Sequence, residues 1–194
     1  MLLAVLLLVA PCASAQTQMD LDECWSAQAK QADAALNKTY GNVVAGLKAQ
    51  GASTKPLLNA QLAWITARDK TCEFEYALVQ GGSIAPQVSS MCVDRMTRAR
   101  TARLQAWYDT LQAGDDIARA SPVSPQVDAE LNRVYKALNK QLNADQQAQL
   151  VAAETAWLAY RDAACSFAGN QCLTQLEKER TQELKDGWLG EPFW

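Results

Sequence analysis

An all-α fold, made of tandem duplicated small helical bundles of about three helices each and stapled by disulfides, is what this sequence predicts. A set of motifs occurs twice in the same order. Ala-rich stretches free of Pro and Gly favour helix, and no alternating β-branched run is present to favour strands. Six cysteines follow an N-terminal segment of export type.

The duplication has three parts. Asp33-x-x-Leu36-Asn37-x-x-Tyr40 recurs as Asp128-x-x-Leu131-Asn132-x-x-Tyr135, at an offset of 95. Trp64-x-x-x-Arg68-Asp69-x-x-Cys72-x-Phe74 recurs as Trp157-x-x-x-Arg161-Asp162-x-x-Cys165-x-Phe167, at an offset of 93. Cys92 with Arg100-Thr101-x-x-Leu104 recurs as Cys172 with Arg180-Thr181-x-x-Leu184, at an offset of 80. The order is kept and only the connections shorten, so the two copies descend from one module.

Each part is expected to be a helix, over 25–49, 55–79 and 90–112 in the first copy and 125–142, 145–168 and 172–187 in the second. Ser53, Thr54 and Pro56 make a helix start, as do Ser124 and Pro125. Asn143 followed by Gln146 resembles a capping box. Gly81-Gly82 stops the second helix. The expected organisation is a signal peptide over 1–15, a first module over 16–112, a linker over 113–125, and a second, degenerate module with an aromatic tail over 126–194.

The apolar run over 2–10 is too short to span a bilayer, which takes roughly 20 residues. It suits the core of a secretory signal, with Ala13-Ser14-Ala15 as a small-x-small cleavage site. Cleavage there would discard Cys12 and leave five cysteines, whereas an exported protein usually keeps an even number. Cleavage slightly earlier keeps Cys12, Cys24, Cys72, Cys92, Cys165 and Cys172. The two rules disagree. Six cysteines allow fifteen pairings, and sequence proximity suggests 12–24, 72–92 and 165–172.

Composition narrows the function classes. With 18 Lys and Arg against 21 Asp and Glu, the net charge is 18 − 21 = −3. Together with a pI near 5.0, this argues against nucleic acid and anionic membrane surfaces and is compatible with a basic partner. The chain contains no histidine, which removes the commonest general base and metal ligand. There is no CxxC pair to suggest zinc or redox chemistry. No enzyme activity, metal or cofactor is expected.

Leu57, Gln61, Trp64, Arg68 and Cys72 share one helical face, as do Leu150, Glu154, Trp157, Arg161 and Cys165. A face carrying Trp and a disulfide cysteine is expected to be buried, so its arginine needs a partner. Asp33 and Asp128 would make Arg68 and Arg161 clamps between the first and second helices. Asp69 and Asp162 are local alternatives, and a recognition or catalytic Arg-Asp pair is the competing interpretation. The clamp is favoured because both copies carry the motif as a unit. The aromatic tail from Trp188 to Trp194 is expected to fold over the second bundle rather than to contact a partner, and Asp115 and Asp116 to be solvated.

These motifs, with Gln61 three residues before Trp64, Gly81-Gly82-Ser83, and Cys92-x-x-x-x-Thr97, resemble the N-terminal domain family of LprI-type lysozyme inhibitors. The N-terminal Cys12-x-x-x-x-Thr17-Gln18-x-x-Leu21-Asp22-x-Cys24 resembles that family's paired-cysteine opening, which favours a retained Cys12. The second copy lacks the Gly-Gly-Ser loop and has Glu177 where Thr97 stands. The resemblance implies a periplasmic or secreted binding protein that blocks a cell-wall hydrolase, with a basic lysozyme-like enzyme as partner. The alternative is a non-enzymatic interaction or immunity module for another envelope partner.

Overall fold

The computed structural model describes residues 12, 14–113, 125–168 and 171–186. They form six helices: α1 (Gln18–Ala49), α2 (Lys55–Leu78), α3 (Ala85–Gln112), α4 (Pro125–Asn139), α5 (Ala144–Ala168) and α6 (Gln171–Leu184). There is no strand among the described residues. The expected signal core, most of the linker and the aromatic tail lie outside them.

The helix ends come from local chemistry. α1 starts seven residues before the expected position of 25, at Gln18. Thr17 and Asp20 form a capping box there, and the stretch over 18–40 contains neither Pro nor Gly to interrupt it. Its other end is a Schellman motif, with the Ala52 N–H on the Leu47 carbonyl at 2.9 Å and the Gly51 N–H on the Lys48 carbonyl at 3.0 Å. Gly51 is the left-handed residue that this motif requires, at φ +69°. α3 starts five residues before the expected 90, with Pro86 in its first turn. At α5, Asn143 accepts from the Gln146 N–H at 3.0 Å and Gln146 Oε1 accepts from the Asn143 N–H at 3.1 Å. α4 ends at Asn139 rather than 142, where the Gln147 side chain caps the Asn139 and Leu142 carbonyls.

The principal packing order is α1–α3–α2–α5–α6–α4. In each copy the third helix lies between the first and second, and the two second helices meet in the middle. α2 and α5 run antiparallel: the Gln146 amide reaches the Ala77 carbonyl at one end, while Ser53 and Pro56 face Ala163 and Ser166 at the other. Equivalent helices meeting antiparallel give the molecule an internal pseudo-two-fold. One apolar core runs through both copies, including Leu57, Trp64 and Phe74 of α2 and Leu150, Trp157 and Tyr160 of α5. Trp107 of α3 meets Phe167 of α5 edge to face at 4.9 Å, so aromatic packing also crosses between the copies.

Three disulfides are present, Cys12–Cys24, Cys72–Cys92 and Cys165–Cys172. The first ties the N-terminal segment to α1. The other two staple α2 to α3 and α5 to α6 at equivalent positions.

Candidate functional site

The first-helix motif supplies support more than chemistry. Asp33 is exposed and accepts from the Asn37 amide at 3.0 Å, and Asn132 bonds the Asp128 backbone carbonyl at 2.9 Å. Tyr40 and Tyr135 are half-buried against the core. Burial raises both phenols above their ordinary value. Arg100 opposes the rise at Tyr40, whereas Glu154 adds to it at Tyr135. Each tyrosine therefore marks the neighbourhood of a deeper polar centre.

Arg68 and Arg161 do not tie the first helix to the second. Because the third helix lies between them, Asp33 and Asp128 are out of position, and neither bonds the motif arginine. Arg68 donates to Asp69 Oδ1 from Nε at 2.9 Å and from Nη2 at 2.7 Å, and Arg161 meets Asp162 in the same way. Each guanidinium lies over its own tryptophan, Arg68 at 5.1 Å from Trp64 and Arg161 at 5.7 Å from Trp157. Arg161 also donates to Glu177 at 3.1 Å, so the second copy's clamp joins α5 to α6. Thr97, which replaces Glu177 in the first copy, is buried with no partner for its hydroxyl. Burial raises the Glu177 carboxyl, and Arg161 opposes it.

The deepest charges come from the third repeated segment. Arg100 and Arg180 are 2% and 1% exposed and occupy equivalent positions. Arg100 donates from Nε to Gln61 Oε1 at 3.0 Å and from Nη1 to the Tyr160 hydroxyl at 3.3 Å. Its guanidinium lies 4.9 Å from the Trp107 ring and 5.4 Å from the Tyr160 ring. No carboxylate bonds it, and its Nη2 is buried without a partner. Burial pushes Arg100 below its ordinary value, but a guanidinium has so high a starting point that it keeps its charge.

Arg180 makes the same reach to Glu154, with Nε to Oε1 at 2.7 Å, and also meets Glu183 at 2.7 Å. Burial pulls Arg180 down, yet the two carboxylates outweigh it and hold it above its ordinary value. Gln61 stands where Glu154 stands in the second copy, and Arg103 where Glu183 stands. The second centre is thus neutralised within the chain, and the first is not.

Both centres open on one cleft of about 270 Å³ between α2–α3 and α5–α6. Trp64, Trp157, Tyr160 and Leu176 contribute to its walls, with Arg100 and Arg180 among them. Ion pairs cross its rim from α3 to α6: Arg103 with Glu179, and Arg95 with Glu183 at 2.7 Å. Arg95 also pairs with Glu75 of α2. Among the described residues no cluster of three or more His, Cys, Asp or Glu is placed to hold a metal.

Arg100, Arg180, Gln61, Glu154 and Tyr160 were not singled out from sequence as site residues. The sequence carries a signal for four of them, since Gln61 and Glu154 lie on the helical face expected to be buried, and Arg100-Thr101 and Arg180-Thr181 belong to the third repeated motif. A repeated arginine was visible, but its burial was not.

Packing and site together define a disulfide-stapled, pseudo-symmetric helical repeat protein whose two copies share a charged cleft. The family profile described as Lysozyme inhibitor LprI matches residues 10–104 and 119–184, one segment for each copy. The chain belongs to that family. A relative from Rhizobium meliloti (strain 1021), an uncharacterized protein, is 39% identical over an alignment of 112 positions, with 52% of this chain and 81% of the relative covered. A crystal structure of an uncharacterized protein from Burkholderia thailandensis shares the fold at a TM-score of 0.67. It is 20% identical, with 87% of this chain and 86% of that chain covered.

Proposed function

We propose that this protein is an exported lysozyme inhibitor that binds a cell-wall hydrolase and blocks it, without catalysis of its own. The observation that carries this is the family match over both copies. Export is supported by the apolar run over 2–10 and by three disulfides, which persist in oxidising compartments. No helix among the described residues is long and apolar enough to cross a membrane. The Cys12–Cys24 bond supports signal cleavage before Cys12. Residues 16–112 and 126–194 act as the two modules, and the first, with the fuller motif, supplies the contact.

The physical properties fit an inhibitor. Cross-linked helices with a shared core lose little entropy on binding. A net charge of −3 complements a basic enzyme and speeds the encounter. The test is the clearing of a bacterial suspension by a basic lysozyme, with the disulfide-intact protein in molar excess. Clearing should slow at low salt. The effect should weaken as ionic strength rises from about 0.01 to 0.15 M, where the screening length falls from about 30 to 8 Å. Unslowed clearing at low salt, with no complex on a sizing column, would overturn the proposal.

A further inference from the structure

The two copies act as an internal control for one another, and they differ in charge at the cleft. At three equivalent places the second copy has a carboxylate and the first does not: Glu154 against Gln61, Glu177 against Thr97, and Glu183 against Arg103. The consequence is concentrated at Arg100. Arg180 is bonded by Glu154 and Glu183, and the rim arginines Arg95 and Arg103 are bonded by Glu75, Glu183 and Glu179. Arg100 alone of these four meets only neutral acceptors. Its contacts use two of a guanidinium's five N–H groups. A buried cation without a counter-ion is costly, and the two flanking rings offset that cost only on the faces of the guanidinium. Its Nη2, in the plane, remains unsatisfied.

The geometry points to Arg100 as the anchor of a binding site for a small planar monocarboxylate in the cleft between the repeats. A carboxylate accepts from two guanidinium nitrogens in one plane and supplies the charge that Glu154 supplies to Arg180. The cleft of about 270 Å³ has room for a single ring with its carboxylate. Trp64, Trp157 and Leu176 offer apolar wall to the ring. The Arg103–Glu179 pair that crosses the mouth is partly exposed, and such pairs open at little cost. This binding does not depend on inhibition of a hydrolase.

The test uses benzoate and its neutral isostere benzamide, titrated into the full disulfide-intact chain. Binding is read by calorimetry and by the Arg100 Nε resonance in ¹⁵N-labelled protein. Benzoate should bind saturably and shift that resonance, and benzamide should not. Arg100→Gln should abolish binding, but it also removes a buried side chain that the core is packed around, so Gln61→Glu is the deciding variant. It installs the second copy's carboxylate beside Arg100. It should weaken benzoate at least tenfold while its thermal midpoint holds or rises. Benzoate and benzamide binding alike, no binding of benzoate up to about 10 mM, or Gln61→Glu that keeps benzoate affinity or lowers the midpoint would each overturn the site.

Discussion

Arg100 reaches from α3 to Gln61 of α2 in the same way that Arg180 reaches from α6 to Glu154 of α5, with the Nε bond at 3.0 Å in one copy and 2.7 Å in the other. The shared geometry shows that the guanidinium is part of the module's architecture. The change from carboxylate to amide shows that its electrostatics diverged after duplication.

Stability should separate the buried arginines from the half-buried ones. Arg180→Ala strands Glu154 without its counter-ion, leaves Glu183 with Arg95 alone, and is expected to cost about 3 kcal/mol. Arg68 pairs with an exposed neighbour on its own helix, and its remaining contact is the face of Trp64. Arg68→Ala is therefore expected to cost about 1 kcal/mol. Urea denaturation of the two variants checks the order. Equal losses would mean that Arg68 has a cross-helix role that its contacts do not show.

The contrast also shows what could be read from the sequence. The buried face of α2 was legible: Leu57, Trp64 and Cys72 are all under 5% exposed, as their spacing predicted. The staples are bonds between neighbours along the chain, so proximity pointed to them. The expected clamp between the first and second helices failed because spacing along one helix does not say which helix lies opposite. α3 intervenes between α1 and α2, and that order is set by long-range packing. The burial of Arg100 is hidden in the sequence for a related reason, since a repeated arginine looks the same whether it faces solvent or the centre of the molecule.

The staples should differ in strength. Cys72–Cys92 closes a loop with a sequence separation of 20, and Cys165–Cys172 one of 7. Chain entropy predicts a contribution of about 3 kcal/mol for the longer loop and about 2 for the shorter. Paired Cys→Ala variants in denaturant measure both, and peptide mapping without reductant checks the pairing. Free thiols at Cys72 and Cys92 would contradict the fold as described.

Acid should act through Glu183. Burial raises this carboxyl, but Arg180 and Arg95 outweigh burial and hold it below its ordinary value of 4.5. A depressed carboxyl stabilises the fold above the unfolded value and loses that contribution as pH falls through the folded one. The stability difference between the parent and Glu183→Gln should accordingly be largest near neutral pH and shrink below about 4.5. Glu75 and Glu177 are raised by burial and work in the opposite sense, so the single-site difference is the quantity to measure. A difference that stayed constant from pH 7 to pH 3 would mean that Glu183 does not feel the two arginines.

The pseudo-two-fold makes a prediction about the first copy alone. Residues 12–113 contain α1, α2, α3 and two of the staples, but α2 loses its main partner, α5. Leu57, Ala60, Trp64 and Ala67 are each at most 3% exposed in the whole chain, and the part of α2 that α5 covers would face water. Because α5 is the repeat equivalent of α2 and lies antiparallel to it, a second α2 has the shape and face to take its place. The internal pseudo-symmetry would then become a true two-fold between identical chains. The first copy expressed alone should run as a homodimer on a sizing column with light scattering, and its thermal midpoint should rise with concentration. Trp64→Asp should disperse it to monomers, because the substitution buries an unpaired charge at the centre of the new contact. A stable monomer with a concentration-independent midpoint would mean that the first copy closes its own core, and that the packing of α2 on α5 is a late addition to an already complete module.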